Sequence, residues 1–500
     1  MPNSFDFSQF SKQSAKGIFV IYVNLIYKVV KALWILLFIF IQRFSKLSTT
    51  NTTYIYLGIV VLLLVLLVRA YLIYKNFQFK IENEHFILKQ GILKKTNTSI
   101  AFERIQNINF KQNLVQQIIG VFEVSIETAG SSKTEISIKA LSLEKATALK
   151  EFIAKNKSVD QKDFLKEENK PLVNIGVKEL FKVSLTENHL QNLFLFLALL
   201  FGLFNQIQQI FDGLGQIENL DGFIEENANA FSASLFFIFF MLISLTIIAL
   251  LTSFVRIFLI HFNLTAYLKK DAFEINQGLF TKKSIVLKKA KVQNITISTN
   301  PLKRIIGISF VTFKQAVSGK LNHKKKDKLI RIVGCKKDQV KTIKSSLFNA
   351  DEVENCEKKY PDHYFKRRLF TFTFLFLIIA YFSIFLGFQH YEIFYSVILV
   401  IPFVVFLILK KVKKRFYKIS DDMLLVGKGL LETHHTYLEI FKVQNIQMQQ
   451  TIFQKRSNVA DLVLQTASGK IKIPCIPFHD AIKIYNHTLY KVETSQKEWM

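Results

Sequence analysis

Long apolar runs along the chain are separated by stretches in which apolar and polar residues alternate. A helix needs about 20 mostly apolar residues to cross a bilayer. Five runs meet this requirement, at residues 54–74, 190–211, 231–260, 369–388 and 391–409. A sixth run, at 18–44, contains Lys28 and Lys31, which are costly at mid-bilayer. We expect an interfacial amphipathic helix over residues 18–30 that continues into a span; the alternative is one long helix whose lysines reach the interface.

The apolar runs come in pairs, and the charges beside them predict an orientation. The link within the second pair, residues 212–230, holds five acidic and no basic residues, whereas basic residues precede and follow the third pair. Cytoplasmic loops carry an excess of Lys and Arg. We therefore predict a multi-pass protein of the inner (plasma) membrane, with both termini and all three polar segments in the cytoplasm. Arg43 and Lys46, in the first link, weakly favour the opposite orientation.

The three polar segments repeat one pattern in the same phase. Each begins with a glycine, Gly91, Gly278 or Gly429, that is followed 13 positions later by a basic residue and then by a Gln-Asn pair. The motif residues are Arg104, Gln106 and Asn107; Lys291, Gln293 and Asn294; and Lys442, Gln444 and Asn445. Such phasing indicates three copies of one unit. Because each copy follows a pair of apolar runs, the repeating unit is a helical hairpin plus a polar domain.

Each polar domain has the pattern of strands closed by a helix. Residues 76–81 and 123–128 alternate apolar and polar side chains, which is typical of half-buried strands. The stretches 141–153, 336–348 and 479–492 have helical spacing. We expect each turn glycine to adopt a positive φ. The sequence therefore predicts an α+β membrane protein with three repeats of a transmembrane helical hairpin followed by a pleckstrin-homology-like (PH-like) β-barrel or sandwich with a C-terminal helix.

These patterns divide residues 1–493 of the 500-residue chain into eight predicted parts. The predicted parts are an amphipathic N-terminal helix with the first hairpin (1–74), domain 1 (75–157), a linker or amphipathic segment (158–189), the second hairpin (190–260), domain 2 (261–349), a basic linker (350–368), the third hairpin (369–409) and domain 3 (410–493).

The repeat motif resembles that of the YdbS/YdbT-like bacterial membrane proteins, which carry bacterial PH-like domains. The resemblance is strongest in domain 1, at residues 103–107, 114–120 and 128–131. Domain 2 departs at Ala290-Lys291, and domain 3 has Asn458 where the other two have a late glycine. The resemblance implies a non-enzymatic accessory role in the envelope or in resistance to membrane-active peptides. It also implies a smaller membrane partner with a single PH-like domain.

The formal net charge of +28 favours an anionic membrane surface as partner, and given the apolar runs we expect no nucleic acid. A juxtamembrane Lys or Arg gains roughly 1 kcal/mol near anionic lipid. The candidate lipid contacts are Lys324, Lys325, Lys326, Lys410, Lys411, Lys413, Lys414 and Arg415. The alternative is that these charges serve topology and solubility alone. The repeat motif is a candidate binding surface, although a structural role at a strand-to-loop corner is favoured.

The sequence carries no catalytic motif, so we expect no enzyme activity, no cofactor and no metal site. His434 and His435 are adjacent in a predicted strand and point to opposite faces. We therefore predict a membrane scaffold or binding protein that presents three cytoplasmic PH-like domains at the membrane surface, within an envelope or peptide-resistance complex. The alternative is a transporter or export component that uses the six-helix membrane region, for which Pro402 is the one kink signal inside a span.

Overall fold

The computed structural model describes residues 5–44, 49–128, 136–155, 170–187, 235–315, 330–348, 350–388 and 397–497, with isolated positions between 188 and 234. The helices are α1 (Gly17–Phe44), α2 (Thr49–Lys75), α3 (Leu114–Ile119), α4 (Leu143–Lys155), α5 (Val177–Thr186), α6 (Leu235–Ile260), α7 (Pro301–Ile306), α8 (Lys337–Ser345), α9 (Ala350–Asn355), α10 (His363–Phe388), α11 (Val397–Lys413), α12 (Ile452–Arg456) and α13 (Phe478–Thr494).

The strands of the described residues fall into four antiparallel sheets. They are β1 (Ser11–Lys12), β2 (Gln78–Glu82), β3 (His85–Gln90), β4 (Thr96–Ala101), β5 (Ile105–Asn113), β6 (Phe122–Thr128), β7 (Ile136–Leu141), β8 (Val173–Asn174), β9 (Thr265–Leu268), β10 (Ala272–Gln277), β11 (Thr281–Lys288), β12 (Val292–Thr299), β13 (Ser309–Gln315), β14 (Ile330–Cys335), β15 (Phe416–Ile419), β16 (Met423–Gly429), β17 (Thr433–Glu439), β18 (Val443–Gln449), β19 (Val459–Thr466) and β20 (Gly469–Pro477).

Long apolar helices precede each domain. Among the described residues, Thr53–Lys75 in α2 and Ile243–Ile260 in α6 are the two stretches that are long and apolar enough to cross a membrane, judged by length and composition. The predicted run at 190–211 lies outside the continuously described residues. Helix α1 is continuous from Gly17 to Phe44, so no break separates the predicted interfacial part from the rest.

Each domain is built from two three-stranded halves that enclose an apolar core. In domain 1, β2 to β4 form one half and β5 to β7 the other, with Phe79, Phe86, Ile126 and Ile138 buried between them. Helix α4 packs on this core through Leu149, which is fully buried. Helices α8 and α13 follow the last strands of domains 2 and 3 in the same way. The predicted C-terminal helix of each domain is confirmed.

Residues that precede each hairpin in sequence join the domain that follows it. Strand β1 pairs with β2, β8 pairs with β9, and Lys359 forms a bridge with Tyr417 of β15. The segments predicted as linkers, 158–189 and 350–368, therefore contain parts of domains. Val173 and Leu180 enter the core of domain 2. Val353 of α9 is buried in the same cluster, which also includes Phe416 and Leu425 of domain 3. The physical reason is that these short apolar patterns complete a core that the later strands leave open.

The two halves of neighbouring domains merge into shared sheets. Strand β5 of domain 1 pairs with β11 of domain 2, which creates a seven-stranded sheet in the order β7-β6-β5-β11-β10-β9-β8. Strand β12 of domain 2 pairs with β17 of domain 3, which creates a six-stranded sheet in the order β14-β13-β12-β17-β16-β15. We call these pairings the first and the second junction. Backbone hydrogen bonds thus join the three domains into one row.

Candidate membrane-facing surface

A tight turn follows the glycine that opens each repeat motif. Gly91, Gly278 and Gly429 have φ values of +112°, +106° and +146°. A Cβ atom on any of them would lie 2.0–2.1 Å from the carbonyl oxygen three residues later, far inside van der Waals contact. Only glycine fits such a position without strain. The predicted positive φ is confirmed at all three turns.

Each turn lies against the end of the apolar helix that leads into its domain. The Asn76 side chain, next to the end of α2, donates to the carbonyl of Gly91 at 3.0 Å. The Gly278 amide donates to the carbonyl of Phe262, just past the end of α6, at 2.8 Å. Lys414, next to the end of α11, donates to the carbonyl of Leu430 at 2.6 Å. The three turns therefore occupy the ends of the domains nearest to these helices.

Apolar side chains project into solvent from these turns. Leu93, Phe280 and Leu431 each lie two residues after a turn glycine. Leu93 is fully exposed, and the other two are nearly half exposed. Three large apolar side chains at equivalent positions are unlike the scattered exposed residues of an ordinary surface.

The short helices α3, α7 and α12 carry further exposed apolar side chains, and α3 and α7 lie beside the turns of the next domain. Ile118 and Ile305 are 83% and 82% exposed, and Ile452 and Phe453 of α12 are 75% and 68% exposed. The Gln117 side chain donates to the carbonyl of Leu279 in the next domain at 3.0 Å, so α3 touches that turn. We call these seven residues the apolar rim: Leu93, Ile118, Phe280, Ile305, Leu431, Ile452 and Phe453.

Local capping explains why such short helices form at all. The Asn113 side chain accepts from the amide of Gln116 at 2.9 Å, and the Gln116 side chain accepts from the amide of Asn113 at 2.8 Å. This reciprocal capping box satisfies two backbone donors. Thr451 and Gln454 form the same box in domain 3. Asn458, which replaces the late glycine there, has φ +47°, a conformation that Asn tolerates better than most residues.

The predicted lipid-contact residues at the end of α11 divide into two groups. Lys411 and Lys413 are exposed, and Lys410 lies 5.0 Å from the ring of Phe406. Lys414 donates hydrogen bonds to the carbonyls of Leu430 and Leu431 in the turn, and Arg415 donates to the carbonyl of Lys472. Lys324, Lys325 and Lys326 lie outside the described residues.

Burial lowers the pKa of Lys414, and the nearby charges of Lys410 and Arg304 lower it further. The positive charges of Lys410, Lys414 and Arg304 thus gather at this end of the domain. An anionic surface would relieve their mutual repulsion.

The repeat motif lies at the opposite end of its strands from the turn glycine. Its basic residues, Arg104, Lys291 and Lys442, each end a short 3-10 turn between two strands. Lys442 is buried and donates to the carbonyl of Val292 across the second junction at 2.8 Å. Arg104 is exposed and Lys291 is partly buried. The motif thus forms the corner at which each chain segment passes from one sheet to the next.

The Gln-Asn pairs begin the strands that follow these corners. Gln293 and Asn294 are fully buried, and Asn294 donates to the hydroxyl of Ser468 in domain 3 at 2.6 Å. Gln444 and Asn445 are exposed at the start of β18. Gln106 and Asn107 lie in β5. As a ligand-binding surface, the motif stays a prediction.

Comparison with known proteins identifies the class of the three domains. Residues 28–157, 210–351 and 374–492 each match the model of the bacterial PH domain family. The chain belongs to this family. It is 24% identical over 451 residues to the UPF0699 transmembrane protein YdbT of Bacillus subtilis (strain 168). The aligned region covers 86% of this chain and 87% of that protein. No solved structure matches significantly. The chain is thus a membrane protein with three tandem bacterial PH domains, and the resemblance inferred from the motif is confirmed.

The sequence reasoning missed the apolar rim. A signal was present, since each turn glycine is followed two positions later by Leu or Phe. Apolar residues at a turn look like core residues until the direction of the turn is known. The structure supplies that direction.

Proposed function

We propose that the protein is a multi-pass inner-membrane scaffold whose three cytoplasmic PH-like domains lie with their apolar rim against the inner leaflet. Six helices, with both termini in the cytoplasm, would anchor the domains at that surface. The scaffold would act without catalysis, in an envelope or peptide-resistance complex. A smaller membrane protein with a single PH-like domain would be its partner, together with anionic lipid headgroups.

The observation that carries this proposal is the position of the apolar rim beside the ends of α2, α6 and α11. Exposed large apolar side chains combined with Lys and Arg are typical of surfaces that enter the headgroup region of a bilayer. Exposed Lys94 follows Leu93, and Lys282 follows Phe280 two positions later. The rim therefore has the mixed composition that an anionic interface favours.

In domains 1 and 3, the turns at the other end of β3 and β16 are acidic, whereas the corresponding turn of domain 2 holds Lys269, Lys270 and Asp271. The turn between β2 and β3 holds Glu82 and Glu84, and the turn between β15 and β16 holds Asp421 and Asp422. Negative charge is repelled by an anionic leaflet and is favourably placed away from it. The polarity of domains 1 and 3 thus agrees with one orientation toward the membrane.

The test is a depth measurement on the full chain in nanodiscs that contain anionic lipid. In a Cys356→Ser background, in which Cys335 and Cys475 are buried, a cysteine replaces Ile118, Ile305 or, as control, Tyr490, and is labelled with an environment-sensitive fluorophore. Tyr490 is a matched control because it is 64% exposed and lies one residue before Lys491, which binds Asp421 and Asp422 at the far end of domain 3. We expect blue-shifted emission and quenching by brominated lipid at the two rim positions only.

Equal emission and equal quenching at Ile118, Ile305 and Tyr490 would contradict the proposal. Cysteine at these positions removes little buried surface, so loss of folding does not confuse the comparison. A second preparation with uncharged lipid separates the two contributions. If the apolar side chains of the rim enter the bilayer, quenching at Ile118 and Ile305 persists in uncharged lipid. If attraction to the headgroups alone holds the rim at the surface, this quenching is lost.

A further inference from the structure

Two strand edges, one at each end of the chain, reproduce the two halves of a junction. Within the described part of the chain, β4 of domain 1 and β18 of domain 3 each pair with a strand on one side only. Strand β4 corresponds to β11 and β17, which dock on the preceding domain. Strand β18 corresponds to β5 and β12, which receive the following domain. The two edges are therefore complementary and not identical.

The two junctions share one register, and this register can be carried over to the two outer edges. In both junctions, the residue six positions after a turn glycine pairs with the residue 19 positions after the turn glycine of the preceding domain. Ser284 thus pairs with Phe110 in the first junction, and His435 pairs with Ile297 in the second. The same offsets place Asn97 opposite Met448 and Thr98 opposite Gln447. A complete antiparallel pairing between β4 and β18 follows without any adjustment.

Burial at the two outer edges differs from burial in the second junction. Thr296 and Thr436, which correspond to Gln447 and Thr98, are 8% and 6% exposed, and their hydroxyls lie 3.1 Å apart. Gln447 is exposed and Thr98 is only partly buried. A strand edge with free backbone groups is a template for another strand. The outer edges thus have the chemistry of a junction that lacks its second half.

We propose that a second copy of this chain supplies that half, so that β4 of one copy adds to β18 of the next. The contact is heterologous, and it extends the row of PH-like domains along the membrane surface until the row closes or stops. Both edges of each copy are satisfied by the same pairing. A single register therefore serves the junctions within a chain and those between chains.

Charge modulates this contact. In the second junction, Lys303 binds Glu432, which lies three residues after its turn glycine, at 2.7 Å. At the outer edges, the corresponding residues are Gln454 and Lys94, and Lys455 follows Gln454. Like charges across an interface oppose association, and salt screens them. Association is therefore expected to increase with ionic strength.

The test is disulfide cross-linking between two differently tagged copies in native membranes, both with Cys356→Ser. Cys335 and Cys475 are free but buried. One copy carries Thr98→Cys and the other carries Gln447→Cys. Directly opposed residues in antiparallel strands have Cα atoms about 4.5–5.5 Å apart, a separation that a disulfide bridges. We expect this pair to form cross-linked dimer several-fold more than Asn97→Cys with Gln447→Cys, whose side chains point to opposite faces.

Two further variants keep the test decisive. Thr296→Cys with Thr436→Cys in one chain is the positive control, since these positions already face each other. Lys94→Glu places an acid at the outer edge where the second junction has Glu432, and it is expected to raise the cross-linked fraction severalfold. Lys178→Glu, an exposed charge reversal in α5, is expected to leave that fraction unchanged.

Several results would overturn the proposal. Equal yields from the in-register and out-of-register pairs would do so. So would links between two Thr98→Cys copies, or a wild-type chain that is monomeric in membranes at all salt concentrations. Capture of a smaller membrane protein by Gln447→Cys in place of the second copy would assign the edge to that protein instead.

Discussion

The second junction contains a buried ion pair whose removal should loosen two domains without unfolding either. Lys303 of α7 is fully buried, its ammonium lies 2.7 Å from a carboxylate oxygen of Glu432, and it sits 3.7 Å from the centre of the Phe310 ring. Burial raises the pKa of Glu432, but the charge and hydrogen bond of Lys303 outweigh this and lower it overall. Glu432 is therefore ionised at neutral pH, and the pair holds domain 3 to domain 2.

Glu432→Gln leaves the Lys303 ammonium buried without its counter-charge. Breaking a buried pair in this way costs about 3–5 kcal/mol. If the junction opens before its amides exchange, this corresponds to roughly 10²- to 4 × 10³-fold faster hydrogen exchange in β12 and β17. Lys303→Gln combined with Glu432→Gln removes both charges and is expected to exchange more slowly than Glu432→Gln alone, because no unpaired charge stays buried.

The measurement is amide hydrogen exchange of the full chain in nanodiscs, read by mass spectrometry over peptides from β12 and β17. Strands β2 and β3 of domain 1 provide the internal control, because they lie outside the second junction. An acceleration below about tenfold, equivalent to about 1.4 kcal/mol, would refute the reasoning. Equal acceleration in domain 1 would also refute it, since it would indicate general unfolding.

Two more expectations test other parts of the fold. Leu180→Ala should destabilise domain 2 by about 2–5 kcal/mol, seen as a lower unfolding temperature, because Leu180 is fully buried; Val177→Ala, at an exposed position of the same helix, should change it little. Burial, with a smaller effect of Lys358, lowers the pKa of His435. The neutral imidazole therefore contributes its full share to the stability of the fold above pH about 6.5, and this stability is lost as the pH falls below this value. Exchange in β17, corrected for the intrinsic rate, should rise between pH 7.5 and 5.5, and His435→Phe should reduce that rise.

Much of the local structure could be predicted from the sequence because its signals are local. The turn glycines, the alternating strands and the C-terminal helices each depend on residues close together in sequence. The phase of the repeat also predicted three copies of one domain, and the family match confirms it. At Gly91 and Asn458, for example, a positive φ is signalled by a single residue whose type tolerates that conformation.

The partners of the strands could not be predicted in this way. Alternation in β5 and β11 shows that one face of each is buried, but not which strand lies beside it. Consecutive strands of a domain are expected to pair with each other, whereas β4 and β5 belong to different sheets. The short segment around Val173 was missed for a related reason, since a two-residue strand is too brief to give a pattern.

The candidate site was predicted in part. The basic cluster at 410–415 does lie at the end of an apolar helix, but Lys414 and Arg415 are engaged in hydrogen bonds to backbone carbonyls. Hydrogen bonds of this kind depend on tertiary contacts with the Gly429 turn and with β20. A charge run in sequence does not reveal which members stay available to a ligand.

Register connects the shared sheets to the apolar rim. Because both junctions use the same offset, the turns of domains 2 and 3 each lie beside the short helix of the preceding domain, as the contacts of Gln117 with Leu279 and of Lys303 with Glu432 show. A slip of one residue would turn every side chain of the docking strand to the other face of the sheet. It would also move the turn away from the short helix and interrupt the rim. The pairing that joins the domains therefore also fixes the spacing of the surface that we assign to the membrane.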